Sequence, residues 1–433
     1  MNFVCSNISA RGGRLYFAGQ DVCALAARCG TPLYLMDEDR IRHNCREYMS
    51  AFRAAFGDNF RVLYASKANS FKQIYRIVAE EGLGVDVVSP GEIFTASEAG
   101  FDMSLSYFHS NNKTDFDISF AMDKGVGCFV ADNIEEVLAV NAEAARRGKV
   151  QKILLRLTPG IDTHTYEAVN TGKVDSKFGS AIETGQAEEI LLRTLALENI
   201  DLAGVHCHVG SMVFAEDVFE RSAVVMLRFI AEMNRRHGFV CRELDLGGGY
   251  GVRYVEDAPY LDISAKIADV AAAVKACCAE EGIALPMILL EPGRGIVADA
   301  GMTLYTVGTV KSIPGYKNYV SVDGGMTDNP RYALYGSEYS CFCANRMDEK
   351  ADFTADLVGR CCESGDIVQP DVSFPETVGR GDIIAVCTTG AYNYSMASNY
   401  NRIPRPPIVM LRGGESYVAV KRESLEDILR NDM

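Results

Sequence analysis

Residues 61–82 read RVLYASKANSFKQIYRIVAEEG: a β-rich run, a short polar break, then apolar residues at helical spacing. A strand that hands over to an amphipathic helix is one βα unit. The same handover recurs through the first three hundred residues. The further β-rich runs are GVDVVS (84–89), SLSYFH (104–109), VGCFVA (126–131), KILLRL (152–157), LAGVHCHV (202–209), RELDLG (242–247) and MILLEP (287–292). Most are followed by helical patterns such as GEIFTASEAG, NIEEVLAVNAEAARRG, QAEEILLRTLALE, VFERSAVVMLRFIAEMNRRHG and ISAKIADVAAAVKACCAEEG. Eight strands alternating with helices over about 250 residues predict a (β/α)8 TIM-like barrel, with an open doubly wound sheet as the alternative.

After about residue 300 the texture changes to TLYTVGTVKSI, KNYVSVDGG, YSCFCA, IIAVCTTG and PIVMLRGGESYVAV, with few helical patterns. Short β-rich segments between turn signals predict an all-β C-terminal domain. The expected division is an N-terminal segment over 1–37, which carries LYFAG and joins one of the sheets of the β domain, a barrel over 38–300 and the β domain over 301–433. Two domains suit a chain of 433 residues.

The net charge of -15, with no basic block to offset it, argues against nucleic acid and anionic lipid as partners. Hydrophobic residues make up 48% of the chain, yet no apolar run approaches the roughly 20 residues of a spanning helix. Small-molecule chemistry is the expected class. The start, MNFVCSNISARGGRLYFAGQD, lacks the apolar core of a secretory signal, so a cytoplasmic location is expected. The 14 cysteines are irregularly spaced with no C-x-x-C, and the adjacent pairs at Cys277/Cys278 and Cys361/Cys362 are too close for ordinary disulfides. Reduced thiols are expected.

A barrel assembles its site from the C-terminal ends of its strands, and here those exits are polar: Lys67 and Asn69, Ser89 and Glu92, His109 and Asn111, Arg156, His208 and Ser211, Gly247 to Gly249, and Glu291 with Arg294. Lys67 stands where neighbouring groups can lower an amine's pKa enough to make it nucleophilic, although taken alone it also reads as a surface lysine. LDLGGGYG (244–251) offers bare backbone N–H groups to a phosphate, or merely a tight turn; with Val252 at the third position it is not G-x-G-x-x-G. EPGR (291–294) sets a carboxylate and a guanidinium at the eighth exit, as an anion clamp or as a salt bridge. His206 and His208 have metal-pair spacing, but no third ligand is evident nearby, so no metal is expected and His206 reads as structural. An anion cradle, an amine and a carboxylate able to pair with a ring nitrogen are the parts that hold pyridoxal phosphate.

With YASKAN, GVDVVSPGE, FHSNNK, SKFG (176–179), GVHCHVGS, LDLGGGYG, EPGR, DNPRYALYG (328–336), CESGD (362–366) and GAYNYSMASNYN (390–401) in this order, nearly the whole chain resembles the fold-type III pyridoxal-phosphate decarboxylases, which share an alanine racemase-like fold. The SMASNYN and DNPR-x-ALYG strings resemble the diaminopimelate branch. The resemblance implies that Lys67 carries the cofactor as an imine, that His208 stacks on its ring, and that Glu291 pairs with its ring nitrogen. Asp86 joins these as a cofactor residue; Ser211, Gly248, Gly249 and the start of EPGR, including Gly293, hold the phosphate. Arg294, Arg331 and Tyr335 receive substrate carboxylate, Glu363 the far amino group, and Tyr392 touches both cofactor and substrate.

The implied reaction is decarboxylation of meso-2,6-diaminopimelate to L-lysine and CO2, the last step of lysine biosynthesis. D-ornithine, D-lysine or another basic amino acid is the alternative substrate, and a catalytically silent partner-binding homologue the alternative class. Such a homologue is expected to lack Lys67 or the thiol, and both are present. A proton must return to the carbon that loses CO2, and thiols, with a reference pKa of about 8.5, are largely protonated at neutral pH. In the family the donor is the cysteine of CESGD, here Cys362, supplied by the second subunit of a homodimer. Three positions depart from the family's usual residues: Ser110 for glycine, Met212 for glutamine and Tyr332 for proline.

Overall fold

The computed structural model describes residues 3–161, 176–215 and 217–433. The stretch THTYEAVNTGKVD (163–175), expected to form a loop at the barrel mouth, lies outside the described residues. The chain forms two units. One comprises Asn44–Gly251 and Tyr260–Gly293, the other Met1–His43, Val252–Pro259 and Arg294–Met433.

The first unit contains eight parallel strands: β1 Phe60–Ala65, β2 Gly84–Val87, β3 Ser106–Phe108, β4 Cys128–Ala131, β5 Gln151–Thr158, β6 Ile200–His206, β7 Glu243–Asp245 and β8 Met287–Leu290. Each pairs with the next, and β8 returns to β1 with Ile288 opposite Phe60 and Leu290 opposite Val62. The sheet is a closed barrel, as the βα alternation predicts. Strands such as β2 and β4 are buried at every residue, because a closed parallel sheet is covered on both faces. Leu63, Tyr107, Cys128, Val130, Leu154, Ala203 and Leu289 form one apolar cluster within it. Near the strand starts Glu243 accepts from Tyr107 Oη (2.9 Å) and Lys152 Nζ (2.8 Å), satisfying charge that would otherwise be stranded in the sheet.

Helices follow the strands. Pro90–Glu98 starts where the Ser89 hydroxyl accepts from Glu92 N–H, and Ile134–Arg146 where Asn133 caps Glu136 N–H. The helix Asp115–Asp123 after β3 has no counterpart among the helical patterns named above, because DFDISFAMD lacks a clean apolar stripe and leaves Phe116 exposed. Its signal is the capping box of Thr114 and Asp117. Beside it, buried Lys113 donates to Glu136 Oε1 (2.7 Å), Val130 O (2.8 Å) and Ser110 O (3.2 Å), which ties the loop after β3 to the helix after β4.

In the second unit the long strand Gly301–Ile313 is the hub, pairing with Leu33–Asp37, Lys317–Val322 and Ile383–Cys387. The N-terminal segment that carries LYFAG joins this unit, although the LYFAG run itself stays outside the large sheet. Arg14–Phe17 pairs with Ile8–Arg11 and Gln20–Asp21 in a small antiparallel sheet, since left-handed turns at Gly12–Gly13 and Ala18–Gly19 fold the chain back on itself. The segment that enters the large sheet is Leu33–Asp37, buried throughout. Leu15 and Phe17 still contribute side chains to the core that contains Leu33, Leu304 and Val409. No described helix is long and apolar enough to cross a membrane.

Lys113→Met would leave the Glu136 carboxylate buried without its cation. It should cost about 3–5 kcal/mol in urea unfolding, and Lys113→Met with Glu136→Leu should recover most of that loss.

Candidate active site

At the end of β1 the chain makes a single 3-10 turn, Ser66–Ala68. Ser66, Ala68 and Asn69 are buried and Lys67 alone is exposed, so the turn presents the amine outward. Ala65 N–H donates to Pro292 O (3.2 Å), and a Cβ on Gly293 would sit 2.9 Å from the Cβ atoms of both Ala65 and Ala68. Glycine at 293 therefore lets EPGR close on the Lys67 turn.

Glu291, from the end of β8, is buried between two imidazoles. His109 Nε2 lies 2.7 Å from its Oε1, and His206 Nε2 lies 3.5 Å from its Oε2. The rings of His109 and His206 meet edge to face at 4.9 Å. Glu291 Oε1, His109 Nε2 and both nitrogens of His206 nevertheless lack a well-directed hydrogen bond. Burial alone would raise the Glu291 carboxyl, but His109 and His206 outweigh it and hold the group well below the usual carboxylate range. Asp245 moves the other way, pushed well up by burial and then by Glu291's charge. The two neighbouring carboxyls are thus pushed in opposite directions. Asp86, with Oδ1 3.8 Å from His109 Nε2, is likewise raised by burial, against the pull of His109. Burial pushes His206 down to about 4.

The loops after β6 and β7 are joined backbone to backbone: Val213 N–H donates to Gly249 O (2.9 Å) and Gly251 N–H to Val213 O (3.0 Å). A Cβ on Gly249, at φ +106, would lie 1.9 Å from Gly210 O, and one on Gly248 would lie 2.2 Å from Glu291 O. These glycines are required by close backbone approach. Gly247 N–H donates to Asp245 Oδ1 (2.9 Å) and Gly248 N–H to His208 Nδ1 (3.2 Å). Accepting at Nδ1 makes His208 a neutral ring with its proton on Nε2, and burial, then the charges of Lys67 and Arg156, hold its pKa well below the ordinary value. Ser211 lies between Gly210 and Met212, whose φ values are +155 and +60. Ser110, where the family usually has glycine, is at φ +134, a region that favours glycine.

In the other unit Arg294 and Arg331 are both buried, and their guanidinium carbons lie 4.7 and 5.1 Å from the centre of the Tyr392 ring. Arg294 Nη1 donates to Tyr254 Oη (2.7 Å). Arg331 Nη2 donates to Ser337 Oγ (3.1 Å), its Nε has no hydrogen-bond partner, and its guanidinium stands 5.6 Å from the Tyr335 ring. Two buried guanidiniums on one aromatic ring gather positive charge that suits an anion such as a carboxylate. Cys362 and Glu363 are exposed on a different turn, and Cys362 is the one exposed cysteine among 14, all of them free thiols.

Residues 39–298 match the pyridoxal-dependent decarboxylase pyridoxal-binding domain. The diaminopimelate decarboxylase of Bacillus subtilis (strain 168) is 44% identical over 97% of this chain and 95% of its own length. That of Staphylococcus aureus (strain COL) is 41% identical, with 98% of each chain covered. This chain belongs to the diaminopimelate decarboxylase family. The crystal structure of diaminopimelate decarboxylase from m. jannaschii in co-complex with L-lysine superposes with a TM-score of 0.91 at 30% identity, covering 100% of this chain and 99% of the other. The Helicobacter pylori enzyme complexed with L-lysine gives a TM-score of 0.85 at 30% identity, covering 94% and 98%.

The family's cofactor is pyridoxal phosphate, and the barrel residues fit it. A buried, ionised Glu291 with one oxygen lacking a hydrogen bond suits a protonated ring nitrogen, and the neutral His208 ring suits stacking. The His109–Glu291–His206 contact is the part that strand-by-strand reading missed, because its members come from three strand ends. Tyr254 was also missed; nothing in its sequence neighbourhood marks it.

His206 is neutral in the fold but protonatable once unfolded, so its contribution to stability is complete above about pH 6.5 and is lost as pH falls toward about 4. Between about pH 7 and pH 4, urea unfolding of the wild type should lose up to about 3 kcal/mol more than that of His206→Asn. Equal losses would contradict a buried neutral ring.

Proposed function

We propose that this chain removes one carboxyl group of meso-2,6-diaminopimelate as CO2 and releases L-lysine, with pyridoxal phosphate as cofactor. The observation that carries the reading is the pair of guanidiniums on Tyr392. Diaminopimelate has two carboxylates; when one leaves, the other must be gripped, and D-lysine or D-ornithine has none at the far end. Arg294, Arg331 and Tyr335 take that carboxylate, Glu363 the neighbouring ammonium, and Tyr392 lies against substrate and cofactor.

Lys67 carries the cofactor. His208 covers its ring without adding charge, Glu291 accepts from its ring nitrogen within the group that includes Asp86, and Ser211 with the backbone of Gly248, Gly249 and Gly293 holds its phosphate. Once bound, the cofactor supplies an electron sink for the pair left behind by CO2. Glu291 keeps that sink effective, because its carboxyl, beside His109, is held well below the usual range and needs no rearrangement during the reaction. Cys362 Sγ then gives its proton to the carbon that lost CO2. The thiol acts in a homodimer, where Cys362 of the partner subunit completes each site. Its exposure on a single chain supports this, as does the family resemblance around CESGD.

Borohydride reduction of the holoenzyme should fix the cofactor on Lys67, detectable by peptide mass; a label on any other lysine would overturn that assignment. Arg331→Met should raise KM for meso-diaminopimelate by about tenfold to a hundredfold, the loss expected for a charge-assisted contact. In a panel with D-lysine, D-ornithine, L-ornithine and L-arginine, turnover of D-lysine equal to that of meso-diaminopimelate would remove the need for a carboxylate receptor.

A further inference from the structure

Two strings of the resemblance contain polar residues to which the proposed reaction gives no role: Asp366, which closes CESGD, and Asn401, which closes SMASNYN. Both hold the turn that bears Cys362. Asp366 is buried, and its carboxylate accepts from Met326 N–H (Oδ1, 2.6 Å) and from Cys361 N–H (Oδ2, 2.7 Å). Gly325 and Gly359 line it so closely that a Cβ on either would come within 2.4 Å of a carboxylate oxygen. Gly359 N–H returns to Asp366 O (3.0 Å), which closes the base of the turn.

The next amide, that of Cys362, donates to Asn401 Oδ1 (2.8 Å). Asn401 is in the left-handed region at φ +51, and so is Arg402 at φ +58. Asparagine tolerates that conformation better than most residues. The segment is held there from outside: Glu423 accepts from Asn399 Nδ2 (2.7 Å) and from Arg405 N–H (2.8 Å), while Ser398 N–H donates to Thr327 O (2.8 Å). Successive amides, Cys361 and Cys362, are thus fixed by two side chains from different parts of one unit, and the thiol is left exposed between them.

We infer that Asn401 and Asp366 are positioning residues that aim the Cys362 thiol at one face of the reacting carbon. The inference rests on Cys362 being the proton donor. CO2 leaves without the C–C bonding pair, that carbon takes the proton from Cys362 Sγ, and water reprotonates the thiolate. A loosened turn slows the transfer and weakens its choice of face, while substrate binding is untouched.

The test uses the holoenzyme in H2O and D2O. Asn401→Gly keeps the left-handed backbone and removes the acceptor; Asn401→Asp keeps both. Asn401→Gly should lower kcat about fivefold, the factor that corresponds to one ordinary hydrogen bond. KM should be unchanged, the solvent isotope effect on kcat should rise, and deuterium on the carbon that lost CO2 should become stereochemically mixed. Asn401→Asp should restore all three, and Asp366→Asn, which turns an amide N–H against a backbone donor, should reproduce the defect. Folded Asn401→Gly with wild-type isotope effect and a single deuterium configuration would overturn the inference; were it not to fold, the same result in Asp366→Asn would do so. The reading beneath it is tested apart: Cys362→Ala with normal rate and stereochemistry would remove the donor itself.

Discussion

Closure of the barrel is the constraint on which the rest depends. β1 and β8 are separated by more than two hundred residues of sequence, yet they must pair for the sheet to have no edge. That pairing brings the Lys67 turn against EPGR, with Ala65 N–H on Pro292 O and Gly293 filling the gap between them. Because every strand runs the same way, all exits open at one end, and loops with no local reason to meet become neighbours. The glycines at 248 and 249 belong to the same constraint: they allow backbone to approach backbone where three strand ends converge.

Convergence has an electrostatic cost. Glu291, Asp245 and Asp86 are buried together, and three carboxylates in such a place cannot all ionise. The two imidazoles resolve the conflict by favouring charge on Glu291, while Asp245 and Asp86 are raised. The hydrogen bonds left unmade on Glu291 and His206 are what a preorganised receptor looks like before its ligand adds the missing donor.

The barrel was legible in sequence because its strands are buried on both faces and each hands over to a helix; RVLYAS followed by FKQIYRIVAEEG states both facts in one line. The helix Asp115–Asp123 was not, since its formation depends on a cap more than on periodicity. The place of Leu33–Asp37 in the second unit was hidden as well, because a single buried run does not name its partner, and its partners begin at residues 301 and 408. Polar exits could be read as candidates one strand at a time. Their meeting could not: His109, His206 and Glu291 share no local pattern, and Asn401 is 39 positions from the amide that it holds.

The chain passes between the two units four times, at 43/44, 251/252, 259/260 and 293/294. The eight residues Val252–Pro259 interrupt the barrel unit between β7 and its following helix, and supply Tyr254 to Arg294. Neither unit can therefore be inherited, cut out or exchanged as one continuous piece of gene. Recombination at a single junction would leave a barrel missing a strand or Arg294 without its tyrosine.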